Sequence, residues 1–137
     1  MKKIAFFATT TLLLLPLLVS CSQTAPACSS ESVKQHITEM ALEQTRTELE
    51  KMRKDMEELN IDTKDLPGFE DIEKDAVFLV QNIMNEGRNE KTGSYRCSAE
   101  LSIEFKGEKD VVDITYTAAP VEGQDVFDVS VDNLSPK

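Results

Sequence analysis

The sequence predicts an α+β fold: one long N-terminal amphipathic helix packed on an antiparallel sheet of about four strands. Three observations carry that expectation. Apolar residues recur at helical spacing from Val33 to Leu59, polar and apolar residues alternate strictly from Tyr95 to Phe105, and turn-forming residues punctuate the second half of the chain.

The helix is expected over about 30–59. Either Ser29 or Ser30 can serve as its N-cap, and Glu31 sits where the first turn favours an acid. Val33, Ile37, Met40, Ala41, Leu49, Met52, Met56 and Leu59 fall on one face, at spacings of three, four and seven. The stripe thins near Gln44-Thr45, where a bend or a small partner residue would fit. Glu50 with Lys54, Glu43 with Arg46, and Glu48 with Lys51 decorate the outer face. A coiled-coil seam is the rival use of such a stripe, but a sustained heptad needs more repeats than this one offers.

Residues 60–75 read as a loop, with Pro67-Gly68 as its turn signal and a charged stretch from Glu70 to Lys74. The run 76–84 fits either a helix face or a buried strand formed by Val77, Phe78, Leu79 and Val80. Strand is favoured because Asn89 to Ser94 is turn chemistry, and Tyr95, Cys97, Ala99, Leu101, Ile103 and Phe105 then alternate. Gly107 closes that strand. Val112, Ile114 and Tyr116 open another, Pro120 to Gly123 turns the chain, and Phe127, Val129 and Val131 form the last strand before a polar tail from Leu134. The sheet therefore spans 76–132. Consecutive strands usually neighbour one another, so the expected topology is a meander covered by the helix.

Composition narrows the partners. The chain has 25 Asp and Glu against 15 Lys and Arg, a net charge of −10. Nucleic-acid binders carry a basic patch or stripe, and anionic lipid attracts basic segments, so acidity argues against both partners. With no Trp, the core must come from Val, Ile, Leu and Met together with Tyr95, Phe105, Tyr116 and Phe127.

Met1-Lys2-Lys3 is a positive start, and Ile4 to Val19 is an uncharged apolar run that leads into a small residue. That is the pattern of a secretory signal; a spanning helix needs about 20 apolar residues. The exit, Leu18-Val19-Ser20-Cys21, resembles the lipobox of bacterial lipoproteins at all four positions. The resemblance implies removal of residues 1–20 and a diacylglyceryl thioether on Cys21. Two or more acyl chains would anchor the protein stably in a membrane. It also implies the outer membrane, because Ser22 stands where the family's inner-membrane retention signal places aspartate. Without Lys2 and Lys3, 13 basic residues face 25 acidic ones, a net charge of −12.

Lipid on Cys21 would leave Cys28 and Cys97, an even pair in an exported protein and hence an expected disulfide. Cys28 at the helix start and Cys97 on the inward set of its strand could meet where helix and sheet cross. Residues 21–27 then form a lipidated N-terminus and a short tether, reaching at most about 25 Å, ahead of a single domain over 28–137. A second resemblance rests on Tyr95-Arg96-Cys97-Ser98-Ala99-Glu100-Leu101 and Ile114-Thr115-Tyr116-Thr117, with a cysteine just before a helix. These features are similar to a loose group of small proteobacterial lipoproteins of unassigned function. The similarity implies the same architecture and a Cys28–Cys97 bridge, and carries over no catalytic residue.

Chemistry-bearing residues are few. His36, the only histidine, lies beside the Val33–Ile37–Met40 stripe and reads as a boundary packing residue. Asp62, Asp65, Glu70 and Asp71 flank the Pro67-Gly68 loop, and Asp125, Asp128 and Asp132 lie on or near the last strand; neither set has the spacing of a calcium loop. Both read as solvated surface. No catalytic residue, metal site or cofactor is implied. The expected function is a noncatalytic protein-binding module of exclusion, immunity or inhibitor type. It would be anchored to the outer membrane and face the periplasm, with an envelope protein as partner. A scaffold or pilot subunit of an envelope assembly is the alternative.

Overall fold

The structure, a computed structural model, describes residues 26–122, 124 and 126–134. The expected signal, the lipobox with Cys21, most of the tether, Gly123, Asp125 and the last three residues lie outside that description. Among the described residues two helices precede four strands: α1 (Glu31–Glu58), α2 (Phe69–Asp75), β1 (Val77–Arg88), β2 (Tyr95–Phe105), β3 (Glu108–Pro120) and β4 (Phe127–Val131). The strands form one sheet in the order β1-β2-β3-β4, and each neighbouring pair is antiparallel.

The alternation from Tyr95 to Phe105 becomes β2, whose Cys97, Ala99 and Leu101 are buried. Across the ladder, Ile114 faces Ala99 and Tyr116 faces Cys97, so both strands bury the same face. Val33, Ile37 and Ala41 of α1 cover that face and complete the core with Val80, Ala118 and Val129. Turn chemistry sets the registers. At Lys106-Gly107 both φ angles are positive, 51° and 84°, the pairing that a tight two-residue hairpin requires. Between β1 and β2, Asn89 Oδ1 accepts hydrogen bonds from the Lys91 and Thr92 amides at 3.0 and 3.3 Å.

Four expectations are corrected. The run 76–84 is strand, as favoured, but it is not buried on both sides: Phe78 and Val80 turn inward while Val77 and Leu79 stay exposed. The loop 60–75 ends in a helix, because Phe69 and Ile72 lie three residues apart and Asp71 Oδ2 accepts the Gly68 amide at 3.2 Å. Glu70 and Asp71 in its first turn and Lys74 in its last complement the helix dipole. The apolar stripe of α1 is buried only from Val33 to Ala41; farther on, Met52 and Leu59 are 50% and 70% exposed. Finally, Leu134, expected in a polar tail, packs against the core.

α1 spans 28 residues, about 42 Å at 1.5 Å per residue. Its buried residues, Val33, Ile37 and Ala41, all lie in the first half, so the second half of α1 overhangs the core. α2 supports the overhang: the Arg46 guanidinium lies 4.1 Å from the centre of the Phe69 ring, and Arg53 donates to the Pro67 carbonyl at 3.0 Å. The helix runs through Gln44-Thr45 without a break, and Thr45 Oγ1 donates to the Ala41 carbonyl at 2.8 Å.

Ser30 is the N-cap, and its hydroxyl accepts the Val33 amide at 3.4 Å. A bond of that length belongs at the weak end of capping energies. Ser30→Ala is therefore expected to cost about 0.5 kcal/mol in a urea titration; a loss near 2 kcal/mol would mean that the hydroxyl has a further role.

Candidate functional site

Two regions combine features that the packing of a minimal sheet does not require. The first is where the chain enters the fold. Cys28 and Cys97 form a disulfide across a sequence separation of 69, with Cα atoms 5.8 Å apart. Tyr116, opposite Cys97 in the β2–β3 register, donates its hydroxyl to the Cys28 carbonyl at 2.8 Å. Cys97 and Tyr116 are fully buried, and burial pushes the Tyr116 phenol up to about 12 from its ordinary 10.0. Neighbouring strands thus hold Cys28 through one covalent bond and one hydrogen bond. This fixes the point at which α1 begins.

The second region is the face of the sheet turned away from α1. In an alternating strand, two consecutive apolar residues place one on each face. That happens at Val77-Phe78, Leu79-Val80 and Val111-Val112: Phe78, Val80 and Val112 join the core, while Val77, Leu79 and Val111 do not. Leu79 and Val111 flank Ser102 from the two neighbouring strands, and Ser102 is buried beneath them. Met84, opposite Ser98, extends the apolar surface. Val77, Leu79, Met84 and Val111 are 60%, 52%, 64% and 52% exposed, a grouping that scattered surface residues would not give.

Beside this surface an open groove of about 710 Å³ is lined by Asn82, Met84, Ser98, Glu100, Thr115 and Asn133 among others. Ile83, Ala99 and Ile114 also line it, and most of the polar groups in its walls are paired. Asn82, at φ 53° in the irregular part of β1, donates to Glu100. Asn133 accepts the Thr115 amide and donates to the Asp113 carbonyl, both at 2.8 Å. The hydroxyl of Ser98 is buried and has no hydrogen-bond partner.

The residues singled out from sequence divide clearly. Cys28 and Cys97 are brought together, whereas Cys21 is outside the described residues. His36 is exposed, with its ring 5.0 Å from that of Phe127 and Nδ1 3.0 Å from the Ser32 carbonyl oxygen. Asp62 accepts the Lys64 amide and pairs with its ammonium group, while Asp65, Glu70 and Asp128 are exposed. Asp132 is exposed and accepts from Thr115 Oγ1 at 3.4 Å. Among the described residues, no group of three or more His, Cys, Asp or Glu side chains is placed to hold a metal ion. None of the described helices is long and apolar enough to cross a membrane.

No protein-family model matches the chain, and neither the curated proteins nor the solved structures contain a match to it.

Proposed function

We propose that this protein is a noncatalytic protein-binding module, held at the outer membrane by lipid on Cys21 and working on the periplasmic side. One observation carries the reading: Val77, Leu79, Met84 and Val111 share an uncovered sheet face, the kind of surface that partners bury. Around it lie Glu100, Glu104 and Asp113 with a single cation opposite Glu104, Lys109, a balance that would favour a basic envelope protein over an acidic one. The lipobox resemblance supports the anchor. The tether after Cys21 would keep the domain within about 25 Å of the bilayer, in reach of other membrane-bound proteins. Exclusion, immunity and inhibitor roles all fit this arrangement.

Two variants test the reading. Val111→Asp changes a half-exposed strand residue, so stability should fall by no more than about 1 kcal/mol, while capture of a specific partner by envelope crosslinking should be lost. Unchanged capture would remove the sheet face from the proposal. Cys21→Ser should abolish lipid labelling and signal cleavage; continued labelling and membrane fractionation would rule out the anchor.

A second reading, a scaffold or pilot subunit of an envelope assembly, is favoured by the overhanging end of α1, where Met52, Leu59 and Ile61 are exposed. It calls for recovery of the protein in a complex of fixed stoichiometry, with those three residues buried.

A further inference from the structure

The two edges of the sheet are not alike. β4 ends one side with 5 residues, whereas β1 ends the other with 12 and pairs only with β2. Long open edges are ordinarily blunted by charge, proline, shortness or bulges. The run Val77 to Met84 contains no charged residue and no proline. From Val77 to Gln81 it holds regular register against Glu104 to Glu100, and the first irregularity comes only after Gln81. That leaves roughly 17 Å of straight ladder with one side unpaired.

A groove of about 380 Å³ follows this edge, with Gln35, Thr38 and Glu39 of α1 on one wall and Phe78, Leu79 and Val80 of β1 on the other. No β2 residue lines it, so it opens on the unpaired side of β1. We propose that β1 takes up an extended segment of the protein partner as a fifth strand, and that this segment alternates apolar residues with lysine or arginine. The proposal rests on the protein-binding reading and names the surface and the partner chemistry.

An added strand gains main-chain hydrogen bonds from the edge and specificity from alternate side chains. One set of its side chains would enter the groove beside Phe78 and Val80; the other would extend the open face next to Val77 and Leu79. Charge selects the segment. Glu31 and Glu39 line the groove, and the one cation lining it among the described residues, Lys34, is 2.6 Å from Glu31. Asp75 ends α2 just before β1, and Glu104 lies opposite Val77. A second copy of this chain would bring the same acids to the same edge, within a molecule of net charge −10; a basic strand compensates them.

The test uses the full-length chain in detergent micelles and a synthetic octapeptide alternating valine with lysine. Two controls accompany it: the same peptide with glutamate for lysine, and peptides N-methylated at every second residue in either phase. The lysine peptide should slow amide exchange across Val77 to Gln81 and bind more weakly as salt rises. The glutamate peptide and one N-methylated phase should bind roughly tenfold more weakly or worse. Gln35→Trp, which fills the groove from an exposed position, should weaken binding without lowering the melting temperature. Equal binding by both N-methylated phases, or binding without protection of β1, overturns the proposal. So does concentration-dependent dimerisation that protects β1, which would make a second copy the occupant. If crosslinking captures a partner that Val111→Asp loses while the lysine peptide leaves β1 untouched, the edge proposal falls and the protein-binding reading stands. If neither partner nor peptide binds, both fall.

Discussion

Replacing Cys28 and Cys97 together by alanine is expected to destabilise the protein by about 4 kcal/mol. The bridge closes a loop with a sequence separation of 69, and the cost of opening it follows from the chain entropy restored to the unfolded state, which grows with the logarithm of loop length. Small domains have total stabilities of about 5–15 kcal/mol, so the loss is a large share of what is available. The melting temperature should fall by roughly 15–30 °C. Reductant should bring the wild type to the same value and leave the double variant unchanged. Single replacements should cost nearly as much as the double, because either one removes the same bond. Equilibrium denaturation of the four proteins with and without reductant measures all of this; a reductant-insensitive wild type would show that the bridge contributes nothing.

The bridge was also among the more legible features of the sequence, though for an indirect reason. Cysteine parity pointed to it, and parity worked only once Cys21 was assigned to lipid; the structure brings Cys28 and Cys97 together without bearing on Cys21. The alternation around Leu101 was readable because β2 lies between β1 and β3 and has one face against α1, so local pattern and tertiary burial agree. α2 was less legible. Its seven residues contain only Phe69 and Ile72 as large apolar positions, too few to show a period, and its contacts with α1 run through Arg46 on Phe69 and through Arg53 on Pro67 just before it, charged residues that carry no apolar pattern. The end of α1 misleads for the opposite reason: Met52 and Leu59 keep the helical period although both are exposed. Periodicity reports which residues share a face, not whether anything covers it.

The same limit hid the candidate surface. Val77 and Leu79 belong to one apolar run and Val111 stands beside Val112, and a sequence window cannot assign alternate residues to a covered and an uncovered face. The signal available was the doubling itself, two apolar residues in succession within an alternating strand. The free edge of β1 depended on strand order, and its groove on where α1 crosses, neither of which is written locally.

Tyr116 ties the entry point to the sheet, and its removal is the other large effect expected. Tyr116→Ala should cost about 3–5 kcal/mol, as for other buried aromatic side chains. Tyr116→Phe keeps the ring but leaves the Cys28 carbonyl without its 2.8 Å donor, for a loss of about 1–3 kcal/mol. The phenylalanine variant also isolates a pH effect. Burial raises the folded-state phenol to about 12 from an ordinary 10.0, so the folded protein retains a proton that the unfolded chain releases. The associated stability is present in full below pH 10 and is lost as pH rises through about 12. The readout is the difference between wild type and Tyr116→Phe, which cancels everything the two proteins share: wild type should lose its advantage across that window. Parallel profiles would mean that the hydroxyl is not buried as described. Because Tyr116 and Cys97 both act on Cys28, the two effects should also fall short of additivity. With the bridge removed, Cys28 is freer to leave the Tyr116 hydroxyl, and Tyr116→Phe should then cost less than it does in the oxidised protein.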